Sequence, residues 1–215
     1  MAVEDTKRKL IEATYEIMKN EGVDKVSARN IAKKAECTAT VIYKYFTNLN
    51  YLVVMASLRF LEGYTKEGLE ISLSKEDGIT IDKRAWKAFI NYAFRNPRIY
   101  ENLFWGEGNE VYADAIVEYF ELYPGEMSKR TTAYYYTMMF NPRIEERDFI
   151  WLRKSVNEGR MKMEDAFYVS RTNSYIVRGM LLEHMNDYKN PAVVEKVIED
   201  CYSMIVKTID SFIIE

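Results

Sequence analysis

Apolar positions recur at three- and four-residue intervals through almost the whole chain, the period of amphipathic helices. Leu10, Ala13, Thr14 and Ile17 form one stripe with Met18 beside it, so a first helix is expected from Asp5 or Thr6 to about Asn20. Glu21-Gly22 ends it, because glycine suits the left-handed geometry of a helix C-terminus. Between Ser27 and Phe46 the pattern shortens to two brief helices. In the first, Ser27 is the N-cap and Ile31, Ala32 and Ala35 face inward. Glu36-Cys37 makes a corner, Thr38 caps the second, and Val41, Ile42, Tyr45 and Phe46 point to the core. Helices this short are not stable alone, since nucleation is costly and isolated helices need roughly 12–15 residues to be marginal. A longer helix must hold them, leaving Thr38, Ala39, Thr40, Tyr43 and Lys44 for an outside surface. A short, rigid, exposed helix suits a DNA major groove.

Asn48 is the expected cap of a fourth helix running to about Ser74, with Leu52, Val53, Met55, Ala56, Leu58, Phe60 and Leu61 inward. Gly63 and Gly68 would weaken its far half by up to about 1 kcal/mol each. The segment Ser74 to Thr80, which contains Gly78, reads as a boundary. Beyond it, helices are expected at 81–96, from Pro97, and at roughly 109–122, 127–140, 144–158, 163–187 and 192–213. The fold class is therefore all-α with about nine or ten helices. It divides into a helix-turn-helix head (1–48), a linking helix (49–80) and a body (81–215).

The stretch KRKLIEATYEIMKNEGVDKVSARNIAKKAECTATVIYKYF, residues 7–46, resembles the N-terminal domain of TetR-family transcriptional regulators. The resemblance rests on Gly22, the Ser27 cap, the Ile31-Ala32 pair, and a recognition helix ending Tyr43 to Phe46. Asn-Pro-x-Ile-Tyr at 96–100, after a Phe-rich helix, extends it into the body. It implies that double-stranded DNA is the partner and that Ser27, Arg29, Thr38, Ala39, Thr40, Tyr43, Lys44 and Asn48 face it. Tyr43 and Lys44 would meet phosphates, and the residues after Thr38 would approach base edges or thymine methyls. Lys7, Arg8 and Lys9 lie at a helix end that the family keeps close to the DNA backbone. The chain departs from the pattern at Glu36, where a turn glycine is usual, at Val41, where Ser or Thr is common, and at Leu49-Asn50, where Lys-Glu is frequent. A carboxylate near phosphates repels them, and each phosphate left unneutralised lowers the salt slope by about 0.9. Those positions favour a second reading, a ligand-binding or interaction protein whose head has lost DNA affinity.

Charge agrees with the head assignment. Net charge is −3, yet residues 1–50 carry nine Lys/Arg against seven Asp/Glu, so the head is weakly basic and the body acidic. No apolar run approaches a membrane span and no signal peptide leads the chain, so a cytoplasmic protein without membrane association is expected. Two distant cysteines and one histidine exclude a disulfide framework and a histidine-based metal centre. No catalytic constellation or cofactor motif is evident, and no enzymatic activity is expected.

The body is rich in rings: the chain has 17 Tyr, 10 Phe and 3 Trp. A cavity for a small hydrophobic or aromatic effector is expected, with Trp86, Phe89, Phe104, Tyr135, Trp151, Phe167, Asn173 and Ile176 as candidate lining. The last two helices are apolar on more than one face, and large exposed apolar patches rarely persist on monomers. A four-helix homodimer interface is expected there, as the family uses, carried by Val177, Leu181, Val194, Ile198, Cys201 and Ile205. The expected function is a dimeric, ligand-released repressor binding a near-palindromic operator.

Overall fold

The computed structural model describes residues 3–126 and 133–214, and among these it is helical with no strand. The head comprises α1 (Val3–Asn20), α2 (Ala28–Lys34) and α3 (Ala39–Tyr45). Leu10, Ile11, Ile17, Ile31, Ile42 and Phe46 bury to form its core. Ser27 caps α2 by accepting from the Asn30 amide at 3.2 Å, as its position predicts. Thr38 occupies the N-cap of α3, but its hydroxyl makes no cap bond. Gly22 adopts φ +97°, open to glycine at no steric cost.

The expected single linking helix is instead broken. It comprises α4 (Leu49–Ser57), a 3-10 turn at Leu58–Leu61 and α5 (Glu62–Ser72). Asn48 caps α4, accepting from the Tyr51 amide at 2.8 Å. The 3-10 turn sets Leu58 and Leu61 three apart, where side chains eclipse, and both bury. Gly63 and Gly68 on α5 are close-approach positions: Tyr92 lies over the first and Tyr135 over the second, each where a β-carbon would sit.

The body follows as α6 (Gly78–Arg95), α7 (Pro97–Phe104), α8 (Tyr112–Leu122), α9 (Ala133–Met139), α10 (Ile144–Asn157), α11 (Met163–Glu183) and α12 (Pro191–Asp210). The expected start of α9 at 127 lies outside the described residues. Helix α6 begins three residues before the expected position, because Asp77 caps it by accepting from the Thr80 amide at 3.1 Å. Twelve α-helices stand among the described residues, more than nine or ten in part because the linking helix divides. Helix α6 is the body's central post, packed by α5, α10 and α12.

Head and body are tied by polar side chains. Lys7 donates to Glu118 on α8 at 2.5 Å, and Arg8 donates from Nη2 to the Leu122 carbonyl at 2.8 Å. Tyr51 donates to the other Glu118 oxygen at 2.8 Å, while Arg59 pairs with Glu12 and Arg98 with Asp24. The start of α1, expected near phosphates, is thus committed to the body through Lys7 and Arg8.

Candidate nucleic-acid interface and body core

The predicted DNA-facing residues lie on α2, on α3 and at the caps of α2, α3 and α4. Arg29, Thr38, Thr40, Tyr43, Lys44 and Asn48 lie at least partly open to solvent, and Ser27 and Ala39 are half-buried. Tyr43 keeps 56% of its surface, a large exposure for an aromatic ring. Ile42 and Phe46 hold α3 from the opposite side, with Val41 and Tyr45 partly buried beside them. The helix is therefore fixed by one face and free on the other. Ser27 and Asn48 are also caps, so part of their hydrogen-bonding capacity is spent within the chain.

The three departures acquire structural meaning. Glu36 adopts φ +51°, which explains why glycine suits this corner, and its carboxylate lies 3.7 Å from Lys9. Val41 and Leu49 are half-buried packing residues, so neither removes a group from the outer face.

In the body core the aromatic candidates separate. Trp86, Phe89 and Trp151 line a cavity of about 20 Å³ with Tyr64, Arg147 and Asp148, room for one water-sized molecule. Phe104 stacks edge-on to Phe89 at 5.5 Å and lies under the Arg147 guanidinium at 4.6 Å. Tyr135 lies 6.4 Å from Trp151 and donates to the Thr65 carbonyl at 2.5 Å. Phe167 is not in this cluster: it is 51% exposed and stacks on Phe149 at 3.8 Å, on the outside of the α10–α11 pair. Ile176 is half-buried, and Asn173 is fully buried with neither amide atom hydrogen-bonded.

Two polar features of this core escape a reading of the sequence. Arg147 is buried and donates to the Tyr112 hydroxyl at 2.6 Å and the Met139 carbonyl at 2.8 Å. Asp82 of α6 and Asp148 of α10 are both buried near Trp86, and neither makes a well-formed hydrogen bond through Asp82 Oδ1, Asp82 Oδ2 or Asp148 Oδ2. Burial pushes the Asp148 carboxyl up to about 7; burial and then the Asp148 charge hold Asp82 well above the usual carboxylate range. A signal was present: Asp82 stands four residues before Trp86 and seven before Phe89, on their apolar stripe.

The six residues expected at a dimer interface lie elsewhere. Val177, Leu181, Val194, Ile198, Cys201 and Ile205 are each at most 4% exposed within a single chain, so they form intramolecular core. The Cys201 thiol is pushed up to about 12 by burial, as a packing residue's would be. The outward stripe of α11 is instead Tyr168, Tyr175 and Leu182 with Gly179 between, and Met204 is exposed on α12. His184 pairs with Asp187 at 2.7 Å.

A three-helix head with an outward seven-residue helix is thus set on an all-α body. Residues 10–53 match the family model of the bacterial regulatory proteins of the tetR family. The fold of the whole chain is shared with Thermus thermophilus FadR, a TetR-family transcriptional repressor solved with lauroyl-CoA (13% identity, 94% of each chain covered, TM-score 0.56). It is similar also to RolR in complex with resorcinol (15% identity, 99% of this chain and 97% of that one, TM-score 0.55). A third similar structure is SmeT, repressor of a Stenotrophomonas maltophilia multidrug efflux pump (14% identity, 97% and 91% covered, TM-score 0.52). No curated protein matches the chain in sequence. The head thus matches the tetR-family model, and the chain as a whole shares the fold of these TetR-family regulators. Among the described residues no helix is long and apolar enough to cross a membrane.

Proposed function

We propose that the protein is a homodimeric, ligand-released repressor acting in the cytoplasm, with no enzymatic role, that binds a near-palindromic operator through α3 of each head. The observation that carries this reading is the outward face of α3, where Tyr43 and Lys44 stand exposed beside Thr38 and Thr40. Lys44 supplies phosphate charge and Tyr43 a hydroxyl; Ala39 and Thr40 present small groups to base edges. Ser27, Arg29 and Asn48 flank them. Arg29 is not placed in α3, so direct base readout is sparse and DNA shape supplies part of the specificity. The loss-of-DNA reading is weakened because Val41 and Leu49 are packing residues.

Head (1–48), linking segment (49–80) and body (81–215) act as the functional divisions. A second chain covers the Tyr168, Tyr175 and Leu182 stripe, and Gly179 lets the backbones approach. Two-fold pairing places the two α3 helices for half-sites about 34–36 Å apart.

The effector is a small hydrophobic or aromatic molecule that enters between α6 and α10 among Trp86, Phe89 and Trp151. The space there is only about 20 Å³, so the effector must favour an expanded body over this one. Phe104, Tyr135, Ile176 and Asn173 are the outer candidates; Phe167, stacked on the outside, is not among them. Similar structures hold lauroyl-CoA and resorcinol, which span the chemistry to test. The test is thermal shift and release of bound duplex across a panel of phenols and acyl thioesters. A compound that raises the melting temperature and releases DNA supports the reading. One that stabilises the body while DNA stays bound would replace release with another mode.

A further inference from the structure

Between head and body lies a cleft of about 670 Å³, within the range of small-molecule sites and separate from the α6–α10 core. The head supplies one wall from the end of α1 and the turn after it. The body supplies the other from the α6–α7 corner and the 3-10 turn that follows α11.

Its charge is unbalanced. Lys19, Arg95, Arg98 and Lys189 line it, against two carboxylates, Glu21 and Asp24. Arg95 is paired with Glu195 and Arg98 with Asp24. Lys19 and Lys189 are exposed and lie 5.5 Å and 5.7 Å from the rings of Tyr15 and Tyr188. Those two rings and Phe60, which contacts Tyr15 at 4.9 Å, give the cleft an aromatic lining beside its positive charge. Arg98 retains a donor, Nε, with no acceptor.

We propose that this head–body cleft binds a small organic anion, an aromatic carboxylate or sulfonate. The rings pack its apolar frame, and Lys19 and Lys189 meet its acidic group. The occupant also competes with Asp24 for Arg98. That ion pair crosses from the head to the body, so binding loosens one of the ties that set the head's position. The effect on DNA rests on the regulator reading; the binding itself does not.

The experiment is titration of the full-length protein, without DNA, with 1-anilinonaphthalene-8-sulfonate, read by fluorescence and calorimetry. The expected result is saturable binding of one probe per chain, weakened at least tenfold in the Lys19→Glu/Lys189→Glu variant. Both side chains are exposed, so the variant keeps the fold. Asp24→Ala, which removes the carboxylate partner of Arg98 and leaves its bond to Asn186, is expected to tighten binding severalfold, and the uncharged analogue N-phenyl-1-naphthylamine to bind at least tenfold more weakly. Equal affinity for the charge-reversed variant, or for the uncharged analogue, would overturn the proposal and place the probe on an apolar surface elsewhere.

Discussion

Gly78, the first residue of α6, packs directly on the backbone of Ser155 near the end of α10. A β-carbon at position 78 would overlap the Ser155 amide nitrogen, and the Gly78 amide donates to Glu158 at 2.7 Å. An alanine normally favours a helix by roughly 0.5–1 kcal/mol over glycine. Here the sign reverses, because backbone cannot move aside as a side-chain tip can. Gly78→Ala is expected to destabilise by about 1–3 kcal/mol in denaturant unfolding. A variant as stable as the parent would mean that α6 and α10 are less closely apposed.

The Glu36 corner makes the opposite prediction. A non-glycine residue held at positive φ costs roughly 1–2 kcal/mol, partly offset by the extra chain entropy that glycine brings. Glu36→Gly should stabilise the protein by about 0.5–1 kcal/mol and, by removing a carboxylate from the head, strengthen DNA binding. Loss of stability would show that the 3.7 Å approach to Lys9 outweighs the backbone strain.

The buried carboxyls set a pH dependence. Asp82 and Asp148 both hold their protons more tightly folded than unfolded. Between the unfolded carboxylate pKa near 4 and about 7, the native state therefore binds more protons, and stability falls as pH rises through that window. Chemical denaturation at pH 5 and pH 8 should show the protein more stable at the lower value. Asp148→Asn should flatten that difference; an unchanged profile would assign the pH dependence to other groups.

The proposed dimer rests on the exposed stripe of α11. Tyr175→Glu with Leu182→Glu is expected to yield a folded monomer by sedimentation, since both side chains are at least half exposed. Dimers persisting in that variant would move the interface elsewhere.

These contrasts show what the chain made legible. The head could be read because its signals are local: the Ser27 and Asn48 caps, the corner at Glu36, and the spacing of Ile31, Ile42 and Phe46 all act within a few residues. The body's outer and inner faces could not. Both apolar stripes of α12 look alike in sequence, and only packing against α6 and α11 decides that Val194, Ile198, Cys201 and Ile205 are covered by their own chain. Phe167 likewise has the composition of a pocket residue, yet it stacks outward on Phe149. Gly78 reads as a helix breaker until α10 is laid against it.

Whether α3 reads DNA is decided by selection of the full-length protein on a randomised duplex library at two salt concentrations. Enrichment of a near-palindrome is expected. Lys44→Ala should weaken binding to it and reduce the salt slope by about 0.9 for each phosphate it no longer neutralises. Tyr43→Ala should weaken it as well, with both variants folded because both side chains are exposed. No enrichment at low salt, with or without candidate effectors present, or enrichment indifferent to both substitutions, would contradict DNA reading by α3.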